Sequence, residues 1–360
     1  MKIHGFDHVE YYVADLPKMS AVLCDAYGFR VAGRSASTSD THSVLLRQGQ
    51  IRLLLTTPVT SDDAAAHYLR KHGDGVGVIA FSTGDVAAAF EEILTSGGRA
   101  VASPSFTVTD SETGYGRVGT AVVTGFGDVL HKLVERSDPD GEFAPGLVEM
   151  EPGELGRIDD SSALLQLLDH VAVCVPAGEL DGTVSFYRDV FGLAQIYDER
   201  IEIGTQAMIS KVVQDDAAQV TFTLIEPDVT REPGQIDDFL LAHGGAGVQH
   251  LALRTRDIID AVSTISSRGV EFLVAPGGYY HVLESRLGKL AIPLTELRGS
   301  NVLADRDRWG QMFQIFARST HERQTFFFEL IERKGALTFG SRNIRALYEA
   351  LEDTRAGVTY

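Results

Sequence analysis

Three residues in the C-terminal half of this chain carry side chains that bind divalent metals: His170 in "LDHVAVCV", His250 in "GAGVQHLAL" and Glu329 in "TFFFELIER". Each begins or lies in an apolar stretch of β-strand character, where an ionisable group is costly unless it has a partner. Two imidazoles and one carboxylate can occupy one face of an octahedron around non-haem Fe(II), leaving three positions for substrate and O2. Zinc accepts the same donors, although no HExxH helix is present. Taken singly, each histidine is more simply a core residue satisfied by its neighbours, and Glu329 a surface residue.

An internal repeat changes that balance. "FDHVEYYVADL" (6–16) recurs as "LDHVAVCVPAGEL" (168–180), aligning His8 with His170. "GVGVIAFSTGDVAAAF" (75–90) matches "GVQHLALRTRDIIDAV" (247–262), placing Val78 opposite His250. "GDVLHKLVERSD" (127–138) matches "TFFFELIERKG" (325–335), placing Lys132 opposite Glu329. The N-terminal copy therefore keeps one candidate ligand, replaces one with an apolar residue and reverses the charge of the third. A site that needs all three is expected only in the C-terminal copy.

The elements that must position these residues follow a strand, helix, strands order that occurs twice in each half. The expected fold is α+β: two duplicated domains, each of paired βαβββ modules forming an open barrel, at 1–150 and 160–360. The Pro-, Gly- and acid-rich stretch 137–162 reads as the linker. "SRNIRALYEALE" has Ile344, Leu347, Tyr348 and Leu351 at helical spacing and is expected to close the barrel mouth, with 353–360 as a frayed end. His243, just before "GGAGVQH", is expected in a loop. Strict alternation puts Gln249 on the strand face opposite His250.

Composition excludes several partners. With 32 Lys+Arg against 50 Asp+Glu the chain carries −18, which disfavours nucleic acid and anionic membrane surfaces. Two cysteines, Cys24 and Cys174, cannot build a disulfide framework or a thiolate metal cluster. No signal peptide or membrane-length apolar run is evident, so a cytoplasmic protein, with a homo-oligomer allowed, is the expectation.

"GAGVQHLAL", "FLVAPGGYY" (272–280), "MFQIFARS" (312–319), "TFFFELIER" and "FGSRNIRALYEALE" (339–352) occur in the order found in 4-hydroxyphenylpyruvate dioxygenase and its sister 4-hydroxymandelate synthase, and the chain resembles that family throughout. The resemblance implies a vicinal-oxygen-chelate (glyoxalase-like) fold, with Fe(II) held by His170, His250 and Glu329. It implies 4-hydroxyphenylpyruvate and O2 as substrates, and oxidative decarboxylation releasing CO2. It further implies substrate-pocket roles for Ser210, Gln235, Gln249, Gln314, Phe316, Phe327, Phe339 and Asn343. Three pocket positions depart from the dioxygenase pattern: Thr223 stands for Pro, Ile225 for Asn and Ile344 for Phe. Losses confined to substrate-facing positions, around an intact metal set, point to the synthase outcome. That outcome is benzylic hydroxylation to 4-hydroxymandelate, a precursor of 4-hydroxyphenylglycine in peptide antibiotics. The dioxygenase outcome is homogentisate. A non-enzymatic ligand-binding member of the superfamily is the contrasting class, and it has no need of an open metal triad.

Overall fold

The computed structural model describes residues 3–35, 41–111, 114–137, 143, 147–149, 163–276 and 278–355. The first half builds a sheet from β1 (Ile3–Tyr12), β2 (Arg30–Ser35), β3 (Thr41–Gln48), β4 (Ile51–Pro58), β5 (Gly75–Thr83), β6 (Ala100–Ser111), β7 (Gly114–Thr124), β8 (Leu130–Arg136) and β9 (Leu147–Glu149), in the order β6-β7-β8-β5-β1-β4-β3-β2-β9. The second builds one from β10 (Leu167–Cys174), β11 (Ala194–Ile203), β12 (Gln206–Gln214), β13 (Thr221–Pro227), β14 (Gly247–Arg254), β15 (Leu303–Arg306), β16 (Gln311–Phe316) and β17 (Phe327–Lys334), in the order β11-β12-β13-β10-β14-β17-β16-β15.

Each sheet has the same plan. The first strands of its two modules run antiparallel at the centre (β1 with β5, β10 with β14), and each pairs in parallel with the fourth strand of its own module. Central strands are buried along nearly their whole length, which is why they read as continuous apolar runs rather than alternating ones. The helices α1 (Leu16–Ala21), α2 (Ala64–His72) and α3 (Val86–Thr95) belong to the first half. The second half carries α4 (Leu180–Phe191), α5 (Gln235–His243), α6 (Ile258–Ser267), α7 (Leu283–Leu287), α8 (Leu294–Gly299) and α9 (Ser341–Arg355). The duplication reaches the caps. Asp85 and Asp257 accept N-terminal amides of α3 and α6, and Glu135 and Glu332 accept the first amide of the same two helices. The duplicated open-barrel α+β architecture expected from the repeats is the one observed.

Three local expectations are corrected. Leu147–Glu149, inside the expected linker, pairs with β2 as an edge strand, and Phe143 is buried; 138–142, 144–146 and 150–162 lie outside the described residues. His243 is the last residue of α5 and is buried, its ring stacked on His72 at 4.3 Å. The last helix continues to Arg355, and 356–360 lie outside the described residues. Among the described residues no helix is long and apolar enough to cross a membrane.

The two halves share one apolar core. Phe222 on β13 stacks on Tyr187 at 4.5 Å and meets Phe6 and Phe81 of the first half at 5.8 and 6.2 Å. His131 on β8 lies among Phe81, Phe222 and Tyr187, its Nε2 3.0 Å from the Tyr187 hydroxyl, and burial pushes its pKa down to about 3. Because this core is continuous, Phe222→Ala is expected to cost about 3–5 kcal/mol in denaturant unfolding, with both halves still melting in one transition. Two separated transitions in the wild type would contradict a shared core.

Candidate metal centre

Register brings the three candidate ligands together. His170 on β10 is directly opposite Ala252 on β14, and Ala252 is directly opposite Glu329 on β17. Residues paired across a sheet share a face, so His170 and Glu329 flank a methyl group, and His250, two residues from Ala252, projects from the same side. The small Ala252 leaves the space that the three longer side chains converge on. Their donor atoms lie within 4.8 Å of one another, and all three residues are buried. Glu329 Oε2 is 3.5 Å from His170 Nε2 and 3.3 Å from His250 Nε2.

Two strand irregularities orient the imidazoles. The β10–β14 pairing shifts between Leu168 and His170 and again between His250 and Val248, making Asp169 and Gln249 the extra residues of two bulges. Each is turned toward the histidine that follows it. His170 Nδ1 donates to Asp169 Oδ1 at 3.0 Å, and His250 Nδ1 donates to Gln249 Oε1 at 3.2 Å. With Nδ1 carrying the proton, Nε2 presents its lone pair to the centre, the tautomer a metal requires. The bulge also accounts for Gln249, which strict alternation had sent to the wrong face.

The charges are arranged for a cation. Burial opposes ionisation of Glu329, but His170 and His250 outweigh it and hold the carboxyl down to about 2. Burial likewise opposes a charge on His170, yet the Glu329 and Asp169 carboxylates raise it to about 9. A proton on His170 Nε2 and a metal ion would compete for the same lone pair, so metal uptake would release a proton. Asp169 itself stays ionised despite burial because Arg333 donates to both its oxygens, at 2.8 and 2.7 Å. Burial pushes His250 downward, which favours its neutral form.

The remaining expected site residues divide into groups. Thr223, Ile225, Gln314, Phe316, Phe339 and Ile344 line, with the triad, a cavity of about 20 Å³. Gln235, Gln249 and Phe327 face a separate cleft of about 930 Å³ between the halves, Phe327 lying 5.0 Å from the His250 ring. Asn343 is buried and donates to Gln314 Oε1 at 2.8 Å. Ser210 is buried and paired with Ile225, on the cavity face but outside the lining of the small cavity. Thr223 Oγ1 is buried with no hydrogen-bond partner among the described residues. Asp169 and Arg333 were not anticipated. Their signal lay in the repeat, where "FDH" answers "LDH" and "VER" answers "IER".

The first half shows what the duplication kept. His8, Ala80 and Lys132 form the same row, with Val78 two residues along, and the pairing is bulged at the equivalent places, Asp7 and Gly77. His8 Nδ1 donates to Asp7 at 2.6 Å, Arg136 grips Asp7 at 3.0 and 3.1 Å, and Phe143 meets the His8 ring at 4.9 Å. Asp169, Arg333 and Phe339 make the corresponding set around His170, Phe339 at 5.3 Å. Where Glu329 stands, the first half has the Lys132 ammonium, 3.7 Å from Glu10.

Residues 1–144 match the model described as hydroxyphenylpyruvate dioxygenase, N-terminal, and residues 167–283 match the glyoxalase/bleomycin resistance protein/dioxygenase superfamily. The chain is 30% identical to 4-hydroxyphenylpyruvate dioxygenase of Yarrowia lipolytica, over 98% of this chain and 92% of that one. It is 31% identical to the enzyme of the same name from Dictyostelium discoideum, over 97% and 98%. A solved triple mutant of 4-hydroxymandelate synthase from Streptomyces coelicolor superimposes with a TM-score of 0.88 at 40% identity, covering 99% of this chain and 100% of that one. The chain belongs to the 4-hydroxyphenylpyruvate dioxygenase family.

One tight metal ion per chain is expected. His170→Ala, His250→Ala and Glu329→Ala should each abolish its retention through desalting, while His8→Ala should leave metal content near one because Val78 and Lys132 cannot complete a second site. Elemental analysis checks this, and a second metal lost with His8 would contradict it.

Proposed function

We propose that this member of the family binds Fe(II) at His170, His250 and Glu329 and converts 4-hydroxyphenylpyruvate and O2 to 4-hydroxymandelate and CO2. The observation that carries the reading is the cavity wall: Thr223, Ile225 and Ile344, the three departures from the dioxygenase pattern, all line the cavity that holds the triad. The greater likeness to the Streptomyces coelicolor synthase, 40% identity, supports the same product. Homogentisate is the second reading, favoured by the name 4-hydroxyphenylpyruvate dioxygenase carried by curated relatives at 30–31% identity.

Bound Fe(II) would chelate the 2-oxo acid and activate O2 for oxidative decarboxylation, with no second oxo acid needed. The chain supplies position and shelter. Thr223 lies two strands from His250 through Ala172, about 10 Å at ordinary strand spacing, so its unpaired hydroxyl suits the phenol of a substrate chelated at the triad. Phe316 and Phe339 bound the ring, and Phe327 backs the His250 imidazole from the neighbouring cleft. Ile344, at the start of α9, is shorter and more branched than Phe, which lets the arylacetate turn its benzylic carbon toward the centre. Steering between two positions tenfold needs only about 1.4 kcal/mol, within the roughly 1–3 kcal/mol that reshaping a pocket supplies. The 20 Å³ around the triad is about the room of one water molecule, so part of the cavity wall must open to admit substrate, and α9 supplies Ile344, Leu347 and Tyr348 of that wall.

Oxygen uptake with Fe(II) and 4-hydroxyphenylpyruvate, followed by product chromatography, tests the reading. 4-Hydroxymandelate is expected, homogentisate would establish the second reading, and no uptake would refute both. Ile344→Phe should divert part of the product to homogentisate or another ring-oxidised species with metal content unchanged. An active variant with the wild-type product distribution would show that Ile344 does not steer the oxygen. Thr223→Val should lower the preference for 4-hydroxyphenylpyruvate over phenylpyruvate roughly tenfold, given about 1–3 kcal/mol for an unmatched buried polar group. An unchanged kcat/KM ratio would make Thr223 a packing residue.

A further inference from the structure

Tyr279, in the "FLVAPGGYY" segment, has no place in the site described so far, yet it ends a chain of hydrogen bonds that begins at Glu329. Gln314 Nε2 donates to Glu329 Oε1 at 2.9 Å, Asn343 Nδ2 donates to Gln314 Oε1 at 2.8 Å, and the Tyr279 hydroxyl is 2.8 Å from Asn343 Oδ1. The direction of every link is forced. An ionised carboxylate only accepts, so Gln314 must turn its NH2 to Glu329 and its oxygen to Asn343. Asn343 must then present its own NH2 to Gln314 and its oxygen to Tyr279, which has to donate. Tyr279 is held for that task. Ala304 N donates to its oxygen at 2.8 Å, and Arg286, stacked 5.3 Å over its ring, donates to Ala304 O at 2.8 Å and competes for the other acceptor within reach.

The backbone is shaped around the same links. Gly340, just before α9, has φ +65°, and a Cβ there would lie 2.7 Å from Gln314 Oε1 and 2.8 Å from Met312 Sδ. Glycine is needed both for the left-handed turn and for the close passage of the amides. Gln314 and Asn343 are almost fully buried, so a broken link leaves a polar atom without water.

We propose that Tyr279 is a positioning residue that, through Asn343 and Gln314, keeps Oε1 of Glu329 engaged and Oε2 turned toward the two imidazoles. The carboxylate then offers one oxygen to a metal, leaving coordination positions open, and the same bonds fasten the start of α9 over the centre. Gln314 and Asn343 act first on Glu329 and only through it on substrate. This inference rests on the triad being the metal site.

Metal-free protein titrated with Co(II), followed by visible absorption and calorimetry, tests it without turnover. Wild type is compared with Tyr279→Phe and with Tyr280→Phe, whose lost hydroxyl bonds Val302 O at 3.1 Å, off the relay. Tyr279→Phe should weaken Co(II) binding about tenfold, the scale expected of an outer partner of a metal ligand, and change the absorption bands as the carboxylate rotates. Tyr280→Phe should match wild type. Asn343→Leu, which cuts the next link, should reproduce the Tyr279→Phe change, and in a Gln314→Met background Tyr279→Phe should have no further effect. Wild-type affinity and spectrum in folded Tyr279→Phe, or in folded Asn343→Leu if the first variant fails to fold, would overturn the relay. So would an equal loss in Tyr280→Phe. If wild type binds no Co(II), the metal-site reading is itself refuted and the relay falls with it.

Discussion

Two extra residues in two neighbouring strands decide what this centre can be. An antiparallel pair that kept strict alternation would bury His170 and His250 on the cavity face with Nδ1 unanswered, and would send Asp169 and Gln249 to the other face. The bulges turn both of the latter into acceptors beside the rings they precede. Everything nearer the centre depends on that: the tautomer of each imidazole, the convergence of two Nε2 atoms on Glu329, and the ability of a buried cluster to take a cation in place of a proton. Arg333 makes the arrangement affordable by keeping Asp169 charged in a buried place.

The first half separates the scaffold from the chemistry. It keeps both bulges and the Asp, His, Arg and Phe around the first of them, although Val78 and Lys132 stand where the other two ligands would be. That set needs no metal, and its first contribution is to the fold: the bidentate Arg136–Asp7 pair ties the end of β8 to the middle of β1. In the second half the same bonds stand beside His250, Glu329 and Gln249, the residues the proposed metal site adds. Gly77 stands where Gln249 does, and a Cβ there would lie 2.1 Å from the Tyr12 ring, so an aromatic side chain fills the space of the missing acceptor.

Much of this was legible in the amino-acid sequence because the chain contains its own comparison. Aligning the copies isolated His170, His250 and Glu329, and predicted the paired modules and the equivalence of Val78 and Lys132 to two of the candidate ligands; the observed registers of the two sheets reproduce that alignment. What periodicity missed has a physical cause. A bulge changes side-chain direction without changing residue type, so Gln249 looked misplaced. Asp169 and Arg333 lay in the matched segments but read as ordinary strand-end charges. Phe143 and β9 lay in a stretch whose Pro, Gly and acidic content signals a linker and conceals a short edge strand. The direction of the Gln314–Asn343–Tyr279 bonds is a tertiary property that no spacing records.

The crystal structure of the chain loaded anaerobically with Fe(II) tests the central claim most directly. The bulge account predicts one iron bonded to Nε2 of His170, Nε2 of His250 and Oε2 of Glu329, with both Nδ1 atoms still donating to Asp169 and Gln249. Iron bound through either Nδ1, or at a place that excludes one of the three residues, would contradict it.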